Sequence, residues 1–467
     1  MAPRVKTRAS RPRTGVRKIP RRRRHRRPRP PGNGADPATP TPPTAPAFTA
    51  NRAALTGLAR LFDRASPKKF RRGTHRTADP EETLARVRPH AAAMGITRLG
   101  NITGLDRIGI PVAVAVRPNS RSVSVAQGKG LDLKQAMASA LMEACEGFHA
   151  EEIGPTRQAS YRALAAGDAV VEPATLCPGG RPFDPERPID WTRGFDLLRA
   201  EPCWLPAELV HTDYARPQPD GYFLAGSNGL ASGNQLVEAV NAALYELVER
   251  DGVALWAARP IAGRAAATLD LASVDDTDCR VLLARYAASG IAVRVWNLTS
   301  DIAIPAFLCE IRDPAPGDPA RLRRFHGSGC HAERGIALSR ALSEAAQTRL
   351  TYIAGMRDDL SPAEYADAPG GETGGEIADA LHDALARAAA PVPFGDVPSF
   401  TSDDLGQDLR WALGRLAAAG FARAVAVDLT RAEFMIPVVR LVVPGLEWDP
   451  HHPNYRPGPR ALARGER

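Results

Sequence analysis

The sequence predicts an α+β fold, with mixed and antiparallel sheets packed against long helices. Three observations carry that prediction. First, DLKQAMASALMEACEGFHAEE (132–152), NQLVEAVNAALYELVER (234–250) and IALSRALSEAAQTRLTYIAG (336–355) repeat apolar residues at helical spacing. Second, short alternating runs such as IPVAVAV and IAVRVWNLT read as half-buried strands. Third, the strands come in groups rather than alternating one by one with helices, which argues against a doubly wound sheet. With 467 residues, 44% of them hydrophobic, the chain can bury a sizeable core.

Residues 1–30 hold fourteen Lys/Arg and no acid. The remaining 47 basic residues face 52 acidic ones, a balance of −5, so the overall charge of +9 belongs to the tail. Together with the Pro/Thr/Ala-rich segment that follows, residues 1–50 are expected to be a disordered basic tail. Nucleic-acid binding is therefore not a property expected of the fold. No apolar core follows the basic run, as a secretory signal requires, and no stretch nears the roughly 20 apolar residues of a membrane span. The six cysteines are scattered, without ligand-like spacing, and read as reduced packing residues of a cytoplasmic protein.

Residues 51–73 are expected to be a linker with a short helix, and 74–467 the globular domain. ADPEETLARVRPHAAAMG (78–95) carries a helix start, with Asp79 as N-cap and Pro80 in the first turn. ITRLGNI, IPVAVAV and SVSVAQ follow as strands, and GKG (128–130) reads as a turn into the first strong helix. Residues 157–225 are expected to be irregular, with β-rich pieces PIDWTRGFDLL and PCWLPAELV. The glycine-rich approach GSNGLASG (226–233) leads into a central helix drawn to Ala258. DCRVLLARYAAS (278–289) is a helix, and IAVRVWNLT and IPAFLCEIR are strands. A loop of Pro, Gly and Asp (313–319) precedes RRFHGSGCHAERG and the third strong helix. A Gly/Glu-rich insertion (368–375), a helix-rich stretch (376–420) and the strands ARAVAVDL and PVVRLVVPG complete the chain. No repeat of 20–50 residues is evident.

The polar residues of the helices point to chemistry. On a helical wheel Asn234, Glu238, Glu246 and Glu249 fall within an arc of roughly 120°, with Arg250 beside them. The first strong helix carries Glu143 and Glu146 at i,i+3. The third carries Arg340 and Glu344 at i,i+4, then Gln347. Any one of these faces reads as a solvated surface. If the three helices face one another, six glutamates need cations, and hard divalent ions with oxygen ligands suit them. Arg250 and Arg340 could then hold phosphate oxygens through planar, bidentate contacts. A Mg–nucleotide or phosphoester site and a set of surface charges are the two readings the residues allow. Walker, GxGxxG, kinase and HExxH signatures are absent, and GSGC (327–330) has no credible triad with it.

In their order and spacing, SALMEACE (139–146), SNGLASGNQLVEAVNAALYELVER (227–250) and ALSRALSEAAQTR (337–349) resemble the YcaO family. The resemblance spans roughly residues 74–460 and implies an ATP-dependent enzyme that activates a peptide-backbone amide by phosphorylating its oxygen, with ATP and Mg²⁺ as cofactors. It implies metal-binding roles for Glu143, Glu146, Glu246, Glu249 and Glu344. Nucleotide-binding roles are implied for Arg76, Thr83, Asn234, Glu238, Arg250 and Arg340. Four departures stand out: Gly147 follows Glu146 where the family often has Arg, Arg76 and Thr83 replace Lys and Ser, and Ala231 stands where some members have a nucleotide-contacting Ser. The fourth is the ending, VPGLE…YRPGPRA, which is similar to members that work with a TfuA-type partner and form backbone thioamides. A peptide or protein substrate and a TfuA-like accessory protein are the implied partners, with a homodimer left open. Azoline-forming cyclodehydration and a non-catalytic ATP-binding accessory role are the alternatives.

Overall fold

Strands this short gain stability only by pairing and by laying one face on a helix, and the sequence supplies a long helix for each group. The computed structural model describes residues 54–465 apart from 155, 216–220, 314–323, 358–383 and 385–389. The basic tail and the Gly/Glu-rich insertion lie outside the described residues, as does the loop beyond Asp313.

Helix α1 (Pro80–Val87) starts as expected, with the Asp79 carboxylate accepting from the Glu82 N–H. It stops well short of residue 95 because Pro89 cannot donate the next helical hydrogen bond, and the chain tightens into a 3₁₀ turn over Arg88–His90. Strands β1 (Arg98–Asn101), β2 (Val112–Val116) and β3 (Val125–Lys129) form an antiparallel sheet in that order. Helix α2 (Leu133–Ala150), capped by Asp132, lies across it. The GKG segment is not a turn: Gly128 and Lys129 are the last residues of β3. A Cβ on Gly128 would sit 2.1 Å from the Ala140 nitrogen, so glycine is needed for the strand to lie flush on α2.

Strands β4 (Arg157–Ala159), β5 (Ile189–Asp196), β6 (Glu201–Pro206) and β7 (Leu230–Ser232) come next, followed by the central helix α3 (Leu236–Ala258). The glycine-rich approach thus contains a strand. After α3 come β8 (Leu269–Asp270), α4 (Thr277–Ala288), β9 (Ala292–Asn297), β10 (Ala306–Arg312) and β11 (Arg324–Cys330). Helix α5 (Arg334–Ala354), β12 (Val392–Pro393), α6 (Leu405–Ala418), β13 (Val425–Asp428), β14 (Val438–Val442) and α7 (Pro459–Gly465) close the chain. The largest sheet runs β4-β5-β13-β14-β7 with β6 on β5, all antiparallel. A second antiparallel sheet runs β11-β10-β9, and β12 pairs with β8 in parallel. The fold is α+β, as expected.

Strand β11 was not legible in RRFHGSGC. It repeats the device of β3: a Cβ on Gly327 would lie 2.1 Å from the Ala345 nitrogen of α5. The β2–β3–α2 and β10–β11–α5 units therefore share one packing scheme without a repeat in sequence.

Sixteen of the 23 residues of α3 are buried. The solvated-face reading fails for Glu238 and Glu249, each 2% exposed, while Glu246 and Arg250 are half-buried. The packed body also begins upstream of residue 74. Leu58 and Leu61 join the core around α3, and the Lys68 ammonium meets Asp408 of α6 at 2.7 Å, both side chains fully buried. At the other end, Arg460 of α7 grips Asp251 of α3 with two 2.9 Å hydrogen bonds. Glu447 accepts from the Tyr455 hydroxyl and from the Gly458 and Ala461 N–H groups. All six cysteines are free. Among the described residues no helix is long and apolar enough to cross a membrane.

Candidate active site

Helices α2, α3 and α5 turn their polar faces into one cleft of about 660 Å³, within the roughly 300–1,000 Å³ typical of cofactor sites. All eleven residues singled out in the sequence line it: Arg76, Thr83, Glu143, Glu146, Asn234, Glu238, Glu246, Glu249, Arg250, Arg340 and Glu344.

At the end near α1, the carboxylate of Glu238 organises the wall. Its Oε2 accepts from the N–H and hydroxyl of Thr77, both at 3.0 Å. Its Oε1 accepts from the N–H and side-chain amide of Asn234 at 3.1 and 3.2 Å, and Arg76 Nε lies 3.5 Å away. Asn234 precedes the helix, whose N-cap is Gln235, so it does not share the helical arc drawn from sequence. It bridges instead, because its Oδ1 accepts from the Thr83 hydroxyl at 3.1 Å.

On the α2 side, carboxylates crowd together. Glu146 Oε1 accepts from the Ser232 N–H at 2.8 Å and its hydroxyl at 2.6 Å. Burial, with Glu143 and Glu246 close by, still pushes Glu146 up to about 8. Burial likewise pushes Glu246 up to about 7; Arg250 opposes this and Glu249 adds to it. Glu143 keeps solvent contact through the cleft, yet burial raises it too, against the pull of Lys129.

On the α5 side the balance reverses. Glu344 Oε2 lies 2.7 Å from Lys129 Nζ, and its Oε1 accepts from the Ser328 N–H at 3.2 Å. Burial alone would raise this carboxyl, but Lys129 and Arg250 hold it well below the usual range. The Ser328 hydroxyl donates to Glu249 Oε1 at 2.7 Å and also approaches Glu344 Oε1 at 3.3 Å. Arg250 Nη1 reaches Ser328 Oγ at 3.4 Å and Glu249 Oε1 at 3.8 Å.

Five buried polar atoms of residues that line the cleft have no hydrogen-bond partner: Gln127 Nε2, Thr212 Oγ1, Glu249 Oε2, Arg340 Nε and Gln347 Oε1. Buried groups of this kind are costly unless something satisfies them. Among them, the orphaned Glu249 oxygen and the orphaned Arg340 guanidinium N–H belong to residues lining one cleft, and such a pair complements a cation and an anion together. Among the described residues no three His, Cys, Asp or Glu side chains close on a single point. An ion would therefore draw on one or two carboxylates and complete its shell with phosphate oxygens and water, the usual manner of Mg²⁺. The donor set fits a Mg²⁺–phosphate ligand.

Several participants escaped the sequence reading. Lys129 and Ser328 are the middle residues of GKG and GSG, motifs whose glycines suggested loops. Thr77 and Ser232 carried no signal. Arg440, on β14, is fully buried and donates to the carbonyls of Gly226, Asn228 and Val210, bracing the approach to α3; a lone arginine inside the apolar run PVVRLVV was the available clue. Gly147 leaves room for Arg117: a Cβ there would come within 3.2 Å of Arg117 Nη1. The guanidinium at this corner of the cleft thus comes from β2's end, where it pairs with Glu151 at 2.8 Å.

A family profile described as YcaO cyclodehydratase, ATP- and Mg²⁺-binding, matches residues 127–447. The chain belongs to the YcaO family. This is a family of ATP-dependent enzymes that modify peptide backbones, and ATP and Mg²⁺ are its cofactors. An uncharacterised protein in the tfuA 3′ region of Rhizobium leguminosarum bv. trifolii is 37% identical over 80% of this chain and 89% of its own length. An uncharacterised protein of Methanothermobacter thermautotrophicus is 33% identical over 79% and 94%. Among solved structures, a heterocyclase in complex with substrate and cofactor is 25% identical with a TM-score of 0.68, covering 82% of this chain. The YcaO-family chain spans only 54% of that heterocyclase. YcaO from Methanopyrus kandleri, bound with AMPPCP and Mg²⁺, shares the fold with a TM-score of 0.65 at 23% identity, over 84% of this chain and 98% of that one.

Proposed function

We propose that this protein uses ATP to phosphorylate the oxygen of a peptide-backbone amide, and that the product is a thioamide made with a TfuA-like partner in the cytoplasm. The observation that carries the reading is the cleft itself, where glutamates and arginines converge in a YcaO fold and Glu249 and Arg340 each keep an unsatisfied buried atom. The tfuA-region location of a 37% identical relative supports the choice of partner and product.

In this reading Glu143, Glu146, Glu246, Glu249 and Glu344 would supply the carboxylates for Mg²⁺, one or two to an ion, and the metal would offset charge on the phosphates. Arg250 and Arg340 orient phosphate oxygens, and Arg76, Thr83, Asn234 and Glu238 hold the rest of the nucleotide. A sulfide supplied by the partner adds to the amide carbon, forming a C–S bond. The oxygen takes the γ-phosphoryl group, and C–O cleavage then releases phosphate and leaves C=S, with ADP as the other product. The chain contributes positioning and a preorganised field rather than a nucleophile, as in other phosphoryl transfers.

Cyclodehydration is the second reading, favoured by the description of the matched family profile. There a Cys, Ser or Thr side chain of the substrate replaces sulfide. The test combines the purified chain, a TfuA-like protein, candidate peptide, ATP and sulfide. Thioamide formation shows as exchange of one oxygen for sulfur in the peptide mass, and azoline formation as loss of one water. Phosphate release that does not depend on peptide, with no mass change, would refute both.

A further inference from the structure

Both oxygens of Glu344 are in use. Lys129 Nζ lies 2.7 Å from Oε2, and Ser328 reaches Oε1 through its N–H at 3.2 Å and its hydroxyl at 3.3 Å. The two partners arrive on matching supports. Gly128 beside Lys129 and Gly327 beside Ser328 press their strands so closely on α2 and α5 that a Cβ on either would meet helix backbone at 2.1 Å. Neither backbone has room to retreat. The Lys129 side chain, 17% exposed and carried on a flexible stem, can swing.

A divalent ion approaching Oε2 meets the lysine ammonium at contact distance, where two like charges in a poorly screened cleft repel strongly. Glu344 therefore accepts a metal ion only as Lys129 leaves. Next to this carboxylate lies Glu143, which Lys129 also partly neutralises. A displaced ammonium needs a new anion, and the phosphate oxygens of an arriving nucleotide supply one.

Resting on the Mg²⁺–nucleotide reading above, we propose that Lys129 is a displaceable resident cation, which occupies Glu344 in the empty cleft and passes to the nucleotide phosphates when the metal ion takes Glu344. The exchange couples the two ligands: each lowers the cost of binding the other, and to the same degree. A compact ammonium suits this role better than a guanidinium, whose fork would hold the carboxylate with two bonds.

The test is Mn²⁺ binding to the full chain, read from the paramagnetic signal of the free ion, with and without a non-hydrolysable ATP analogue. Wild-type protein should bind Mn²⁺ weakly alone and markedly tighter with the analogue. Lys129→Gln should bind Mn²⁺ alone about tenfold tighter than wild type, as expected when a nearby unit charge is removed, and should gain less from the analogue. Lys129→Arg, which keeps the charge, should bind Mn²⁺ alone no tighter than wild type. If Lys129→Gln loses cooperative melting, Lys129→Met carries the same expectation. Unchanged Mn²⁺ affinity in the neutral variants, with analogue binding intact in wild type, overturns the exchange alone. Wild-type protein that binds neither ion nor analogue overturns the functional reading and the exchange with it.

Discussion

Across the cleft from one another stand carboxylates of the same kind in opposite electrical condition. Glu146 on α2 and its neighbour Glu246 on α3 are crowded by other acids and raised to about 8 and 7. Glu344 on α5 has an ammonium, a serine and a guanidinium around it and is held well below the ordinary range. In the first group burial and the neighbouring acids outweigh the positive charge nearby, and in the second the positive charge outweighs burial. Burial is common to both, so the difference comes from where the chain places its own cations. In the proposed reading, a metal ion would meet an under-neutralised wall and, at Glu344, a wall from which Lys129 must first move.

Glu249 joins the two walls, with Ser328 on one oxygen and no partner on the other. Glu249→Gln should have the largest effect, lowering peptide-dependent phosphate release by about a hundredfold or more, the scale of losing one preorganised electrostatic group. Its melting temperature should stay near that of wild type, and activity within a few-fold of wild type would break the picture of a shared site. Ser328→Ala removes the hydroxyl that links Glu249 to Glu344 and Arg250. About tenfold weaker binding of an ATP analogue is expected, the size of a hydrogen bond to a charged group, measured by calorimetry.

The smallest effect, and the one that most sharpens the contrast, is proton release. Glu146 is raised from about 4.3 in an unfolded chain to about 8 in the fold. A carboxyl with a raised folded pKa contributes stability that is fully present below the unfolded value and is lost as pH rises through the folded one. The ion-free protein should therefore lose melting temperature between roughly pH 5 and 8. At neutral pH, Mg²⁺ should expel up to about one proton from Glu146, seen as a buffer-dependent heat. Glu146→Gln should abolish that part of the release. Glu344→Gln should leave it unchanged, because Glu344 is already ionised. Equal proton release from both variants would erase the distinction between the walls.

Much of this was legible because helical periodicity reports which residues share a face, and three faces with complementary chemistry are hard to arrange by chance. What periodicity cannot report is which way a face points. A single acidic helix is the same pattern whether it meets water or a cleft, and only the burial of most of α3, with Glu246 and Arg250 left half-buried along the cleft, decided it. The GKG and GSG segments failed for a different reason. Glycine serves turns through its backbone freedom and flush strands through its missing Cβ, and sequence does not separate the two uses. Lys129 and Ser328 were lost with them. Asn234 was placed on the helical face by extending the wheel one residue past the cap, whereas its bridging contacts to Glu238 and Thr83 depend on its being outside the helix.

Arg460 and Asp251 give the molecule an order of assembly. Asp251 follows Arg250 directly, is fully buried, and finds its guanidinium partner 209 positions further along the chain. A ribosome adding about 5–20 residues per second exposes the central helix to its neighbours many seconds before that partner exists. Throughout this interval the helix carries an uncompensated acid, and packing it away would bury a bare charge at a cost of several kcal/mol. Truncation before residue 460 should therefore lower the melting temperature and weaken binding of an ATP analogue, both measurable on the purified shortened chain.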